Sequence, residues 1–112
     1  MFKTIFTVKK IQGESTIYRA YFEDFDSAND FAWSEFNDID ENFSIGRKNH
    51  FDGSFCCYWI GDHTELWLDN SAWITDWPRS FVFHDDSGLT FDFDTYEDFQ
   101  KFLVSSQDIA KS

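Results

Sequence analysis

The sequence predicts an α+β fold: an antiparallel sheet of five to seven strands with two helices on one face. Two observations carry this. Short stretches with period-two or continuous apolar character, separated by turn residues, recur along the chain. An acidic phrase, DFDSANDF at residues 24–31, returns as DFDTYEDF at residues 92–99, and each time it follows a strand pattern and opens a helical one. The chain then reads as two strand–turn–strand–helix (ββα-like) units flanking a central strand region, a single α+β domain over residues 1–112.

In the first unit, Phe2 to Ile11 alternates, with Phe2, Phe6 and Val8 on one side and Lys3, Thr7 and Lys9 on the other. Gln12-Gly13-Glu14 is a turn, and Ser15 to Phe22, rich in Thr, Ile and Tyr, is the returning strand. A helix follows with Ala28, Phe31, Ala32, Phe36 and Ile39 at spacings of three and four, its start expected at a cap on Asp26 or Ser27.

The central region, Phe43 to Trp77, reads as further strands. Asn49 to Gly53 is a turn, Ser54 to Ile60 a buried strand and Thr64 to Leu68 another, while Asn70 to Pro78 is ambiguous between a short strand and a loop. In the second unit Ser80 to His84 and Leu89 to Phe93 are strands joined by Asp85-Asp86-Ser87-Gly88, and Thr95 caps a helix whose inner face is Phe99, Phe102, Leu103 and Ser106. The two copies of the phrase agree at five of eight positions, which fits either an old duplication or two solutions to one capping problem.

Composition narrows function. The chain has 21 acids against nine bases, a net charge of -12. Such a field repels phosphate and anionic lipid, so direct nucleic-acid binding and a membrane-surface role are not expected. It also exceeds the magnitude of about two to eight that solubility asks of a small domain. The only cysteines, Cys56 and Cys57, are adjacent and cannot supply a disulfide framework. With no apolar run of membrane length and no leader pattern, the expected location is cytoplasmic, the host cell cytoplasm if the protein is viral.

No motif points to catalysis. Asp92 and Asp94 follow a strand as in Asp-x-Asp phosphatases, but Tyr96 stands where those enzymes need Thr or Val. His50, His63 and His84 with the two cysteines match no zinc spacing. There is no nucleophile elbow, phosphate loop or HExxH. The expectation is a non-enzyme without metal or cofactor.

Charge distribution is more informative. Glu23, Asp24, Asp26, Asp30, Glu35, Asp38, Asp40 and Glu41 lie within residues 23–41, a segment free of Lys and Arg. Four of the five tryptophans fall within residues 49–78. Acids with aromatic anchors attract a basic surface and orient it. The expected partner is therefore the basic surface of a nucleic-acid-handling protein, met by those eight acids together with Trp67, Trp73 and Trp77. Carboxylates would replace phosphates and the rings would replace bases.

In size, acidity and lack of motifs the chain resembles virus-encoded counter-defence proteins of the anti-CRISPR or DNA-mimic type. It also resembles immunity proteins held against nuclease toxins. Either likeness implies an inhibitor that covers a nucleic-acid groove. The readings from other classes are a small ligand-binding domain with an aromatic pocket and an assembly domain with a homodimer interface. Monomer and homodimer both stay open.

Overall fold

The computed structural model describes residues 2–111. The elements are β1 (Lys3–Gln12), β2 (Ser15–Phe22), α1 (Phe25–Asn37), β3 (Ser44–Asn49), β4 (Phe55–Ile60), β5 (Thr64–Thr75), β6 (Phe81–His84), β7 (Thr90–Phe93) and α2 (Tyr96–Lys111). All strand pairs are antiparallel and form one seven-stranded sheet, with the path β2-β1-β5-β4-β3 and β6–β7 attached through β5. The α+β class and the two ββα units, β1-β2-α1 and β6-β7-α2, are as the sequence predicts.

β5 organises the sheet. Its first half, Glu65 to Asp69, pairs with β4, and its second half, Trp73 to Thr75, pairs with β6. β1 runs along the other side of both halves. Between the halves β5 bulges: Ile5 lies opposite Ala72 but Thr7 lies opposite Asp69, so β5 takes three steps where β1 takes two. Local hydrogen bonds hold the bulge. Asp69 Oδ1 accepts from the Ser71 amide at 3.2 Å and hydroxyl at 2.7 Å, and Asn70 Oδ1 accepts from the Phe55 amide at 3.0 Å. The broken alternation is why Asn70 to Pro78 is ambiguous in sequence.

An extra residue reverses the faces of a strand. Leu66 and Leu68 therefore point to one side of the sheet, and Ala72 and Ile74 to the other. Two cores result. Val8, Ala20, Phe22, Trp59, Leu66 and Leu68 pack with Ala28, Phe31 and Ala32 of α1. Ile5, Tyr21, Ala72, Ile74 and Phe83 pack with Phe99 and Leu103 of α2. Each large apolar side chain so buried contributes about 1.5–3 kcal/mol. The two helices flank the sheet from opposite sides, where a single face was expected. The neighbours Tyr21 and Phe22 make this plain, because Tyr21 stacks on Phe102 of α2 and Phe22 packs on Phe31 of α1.

Helix starts differ between the two copies of the phrase. Asp24, not Asp26 or Ser27, caps α1: its Oδ2 accepts from the Ser27 amide at 2.8 Å. In the second copy Thr95 caps α2 as predicted, its Oγ1 accepting from the Asp98 amide at 3.1 Å. Phe25 is the first residue of α1, while its counterpart Phe93 is the last of β7. The copies share a composition suited to a strand–helix junction but cross that junction at different points.

Two polar connections tie α2 and the β6–β7 turn to β2. The Tyr21 amide donates to Ser106 Oγ at 3.1 Å, and Gln107 Nε2 donates to the Tyr21 carbonyl at 2.7 Å, so α2 satisfies the outer edge of β2. Asp85, buried in the turn, accepts from the Tyr21 hydroxyl at 2.9 Å, the Ser87 amide at 2.9 Å, the Ser87 hydroxyl at 2.7 Å and the Leu89 amide at 2.9 Å. Burial alone would raise the Asp85 pKa; the donors from Ser87, Tyr21 and Leu89 outweigh it and hold the carboxyl below its ordinary value.

Candidate functional site: an acidic helix face with one aromatic anchor

The inner positions of α1 are spent on Ala28, Phe31 and Ala32. Its outer positions then fall at Asp26, Asp30, Trp33 and Asn37, with Ser27, Ser34 and Asp38 beside them, all exposed. The carboxylates of Asp26, Asp30 and Asp38 enter no hydrogen bond or ion pair among the described residues. Asp26 to Asp38 is twelve residue steps, so their charge extends over ~18 Å.

Trp33 stands among them. It is 39 % exposed, yet its ring is braced from below, edge-on to Trp59 at 5.3 Å and to Phe36 at 5.3 Å. Trp59 is buried, so the indole rests on a fixed floor. An aromatic side chain already held in place loses little entropy on docking. A groove of about 370 Å³ runs alongside, between Ser27, Asp30 and Ser34 of α1 and Gln107, Asp108 and Lys111 of α2, with Phe22 and Phe31 as its floor. Lys111 lies 5.5 Å from the Phe31 ring centroid.

The other acids of the segment divide. Asp24 is spent on the cap, and Asp40 is exposed beyond the helix. Three carboxylates hold the fold. Glu23 meets Lys3 at 3.7 Å and accepts from the Tyr96 hydroxyl at 2.6 Å. Glu35 accepts from the Tyr18 hydroxyl at 2.6 Å; burial and then this carboxylate push the phenol pKa far up. Glu41 binds the β4–β5 turn, accepting from the His63 amide at 2.8 Å, the Thr64 amide at 3.2 Å and the Thr64 hydroxyl at 2.7 Å. The His63 amide and the Thr64 hydroxyl hold its carboxyl below the usual range.

The three predicted tryptophans go to different places, and of them Trp77 alone shares neighbours with one of these acids, Lys3 and Tyr96 with Glu23. Trp67 points away from Leu66 and Leu68, lies against Tyr58 at 5.6 Å and donates from Nε1 to Glu65 at 2.9 Å. Trp73 takes the side opposite Ala72 and Ile74 and stacks on His84 at 5.1 Å. Trp77 packs among Phe81, Tyr96 and Phe99, with the Lys3 ammonium 5.3 Å from its centroid. The aromatic that does stand with free acids is Trp33. Its signal was in the sequence: it lies three residues after Asp30 and seven after Asp26, which is one helix face.

Lys111 is the base lining the groove beside α1, and two other bases lie on the far side of the sheet. Lys9 pairs in register with Arg19 on one side and with Trp67 on the other, which puts all three on the sheet face turned away from α1. Cys57 packs against the first core and burial pushes its thiol pKa up. Among the described residues no group of three His, Cys, Asp or Glu side chains is placed to hold a metal ion, and no helix is long and apolar enough to cross a membrane. Comparison of the chain with protein-family models, with curated proteins and with solved structures finds no match.

Proposed function

We propose that the chain is a protein-binding inhibitor that lays the outer face of α1 on a basic, nucleic-acid-binding surface of its target. One observation carries the reading: the carboxylates of Asp26 and Asp30 stand without partners among the described residues on the same helix face as a braced, half-exposed Trp33, with Asp38 at the helix end, in a segment without Lys or Arg. The carboxylates take the place of phosphates toward Arg and Lys of the target, and Trp33 enters the pocket that a base would fill. The long-range field raises the association rate, and the indole slows dissociation. A virus-encoded counter-defence protein of the anti-CRISPR or DNA-mimic type would use such a face, as would an immunity protein.

The test uses two variants that spare the structural carboxylates, Asp26→Lys with Asp30→Lys, and Trp33→Ala. Proteins captured from host lysate by the wild-type chain and by each variant are compared at low and high salt, and circular dichroism establishes that the variants fold. The expected result is a nucleic-acid-handling protein held by the wild-type chain at low salt, weakened by salt, and lost from both variants. Capture of the same proteins by all three chains would overturn the reading. Glu41 is unsuitable for charge reversal because it holds the β4–β5 turn.

A further inference from the structure

The sheet has one partly covered edge and two open ones. β2 is capped at Tyr21 by Ser106 and Gln107 of α2. Among the described residues β3 pairs only with β4, and β7 only with β6. An open strand edge presents unpaired N–H and C=O groups and is a template for another strand. The two open edges carry opposite charge. β3, SIGRKN, holds Arg47 and Lys48 and no acid; β7, TFDF, holds Asp92 and no base, with Asp94 just beyond it. Neither Arg47 nor Lys48 forms an ion pair among the described residues. Each edge also leaves an apolar side chain in water, Ile45 at 49 % and Phe91 at 39 % exposure.

We infer that β3 of one copy of this chain pairs antiparallel with β7 of a second copy, with Arg47 opposite Asp92 of the other copy. Backbone direction, sheet face and charge are all compatible with this register. The first is the backbone. The His50 amide donates to the Ser54 carbonyl at 2.8 Å, so Lys48 and Gly46 continue the ladder toward β4, and Ile45 and Arg47 turn their N–H and C=O outward. The Asp85 amide donates to the Leu89 carbonyl at 3.1 Å, so Phe91 and Phe93 bond toward β6, and Thr90 and Asp92 turn outward. Arg47 and Asp92 are therefore both free to exchange a pair of main-chain bonds.

The second is the sheet face. Arg47 lies opposite Cys57, which packs on the α1 core, and Asp92 lies on the side of β7 away from Phe91 and the α2 core. Both side chains are on the α1 side of the sheet. The third is charge, and the Arg47 guanidinium is already held by the Phe55 ring at 4.4 Å. In the same register Lys48 comes opposite Phe91 and would cover it. β3 and β7 both run parallel to β5, so antiparallel pairing is what a two-fold axis generates. One closed dimer then contains the Arg47–Asp92 pair twice, and the outer face of α1 takes no part in it.

The test is sedimentation with light scattering on the whole chain, from about 10 μM to about 1 mM, a range that resolves moderate affinities. The expected result is a concentration-dependent dimer, with slowed exchange of the Ile45 and Arg47 amide hydrogens. Arg47→Glu and Asp92→Arg should each weaken self-association by about tenfold or more, since like charges then face each other. An equimolar mixture of the two should restore it, because both contacts become attractive again in the mixed dimer. A monomer throughout the range would overturn the inference, as would variants that dimerise like the wild type or a mixture that recovers nothing. These variants leave α1 untouched, so their outcome is separate from the fate of the proposed docking face.

Discussion

Replacing Asp85 by Ala should show what the buried carboxylate contributes. The residue is 5 % exposed and accepts four hydrogen bonds, three within its own turn and one from Tyr21. Ser87 and Leu89 lie at the surface, so their amides gain water when the acceptor is lost. The Tyr21 hydroxyl does not, because its ring is buried between Phe83 and Phe102. An unmet buried hydroxyl costs about 1–3 kcal/mol and a hydrogen bond to a charged acceptor is worth about 1.5–3 kcal/mol, so Asp85→Ala is expected to cost about 2–4 kcal/mol at pH 7. Tyr21→Phe removes the donor without leaving it stranded and should cost about 1–2 kcal/mol. The double variant should fall short of the sum.

Urea unfolding at constant slope measures all three. The pH dependence has a definite sign. The folded-state pKa of Asp85 is depressed, so its contribution is complete above the ordinary aspartate value of about 3.9 and fades as pH falls through the lower folded value. The gap between wild type and Asp85→Ala should therefore narrow below about pH 4. An equal gap at pH 7 and pH 2.5, or a neutral Asp85→Ala, would refute the reasoning.

Two further outcomes are expected. Asp24→Ala and Thr95→Ala should each lower stability by about 1 kcal/mol in urea titrations, whereas Ser27→Ala should change little, since only the first two are caps. Gly46→Ala should displace Tyr58, whose ring occupies the space a Cβ would need; the Tyr58 side chain can swing outward, so the cost is about 1 kcal/mol. The Trp67 indole N–H resonance, next to Tyr58, reports the shift, and an unmoved resonance would contradict it.

Local pattern made much of the fold legible. Ser15 to Phe22 is a strand with those bounds because turn residues and a capped helix frame it, and Ala28, Phe31 and Ala32 face inward because their spacing is helical. What pattern did not disclose depends on one extra residue. The bulge at Asn70 and Ser71 shifts the phase of β5, so a single long strand looked like a short strand and a loop, and both helices seemed to belong to one face. The site was legible as a charge-biased segment but not in its parts. Glu23, Glu35 and Glu41 read as surface acids, and only their long-range partners, Tyr96, Tyr18 and Thr64, show them to be fastenings. Trp67, Trp73 and Trp77 are close in sequence, but strand alternation and the bulge send them to different places. Trp33 escaped notice because it sits alone, away from the tryptophan-rich stretch.

The irregularity in β5 also sets what lengths this chain tolerates. Removing either Asn70 or Ser71 would restore an unbroken alternation with Ala72 still opposite Ile5, at the cost of the bond to the Phe55 amide or of the Ser71 donors to Asp69. Everything attached downstream, from β6 to the last helix, would keep its side of the sheet. The strand has one residue to spare at that kink, and shortening it there is expected to leave both cores in place.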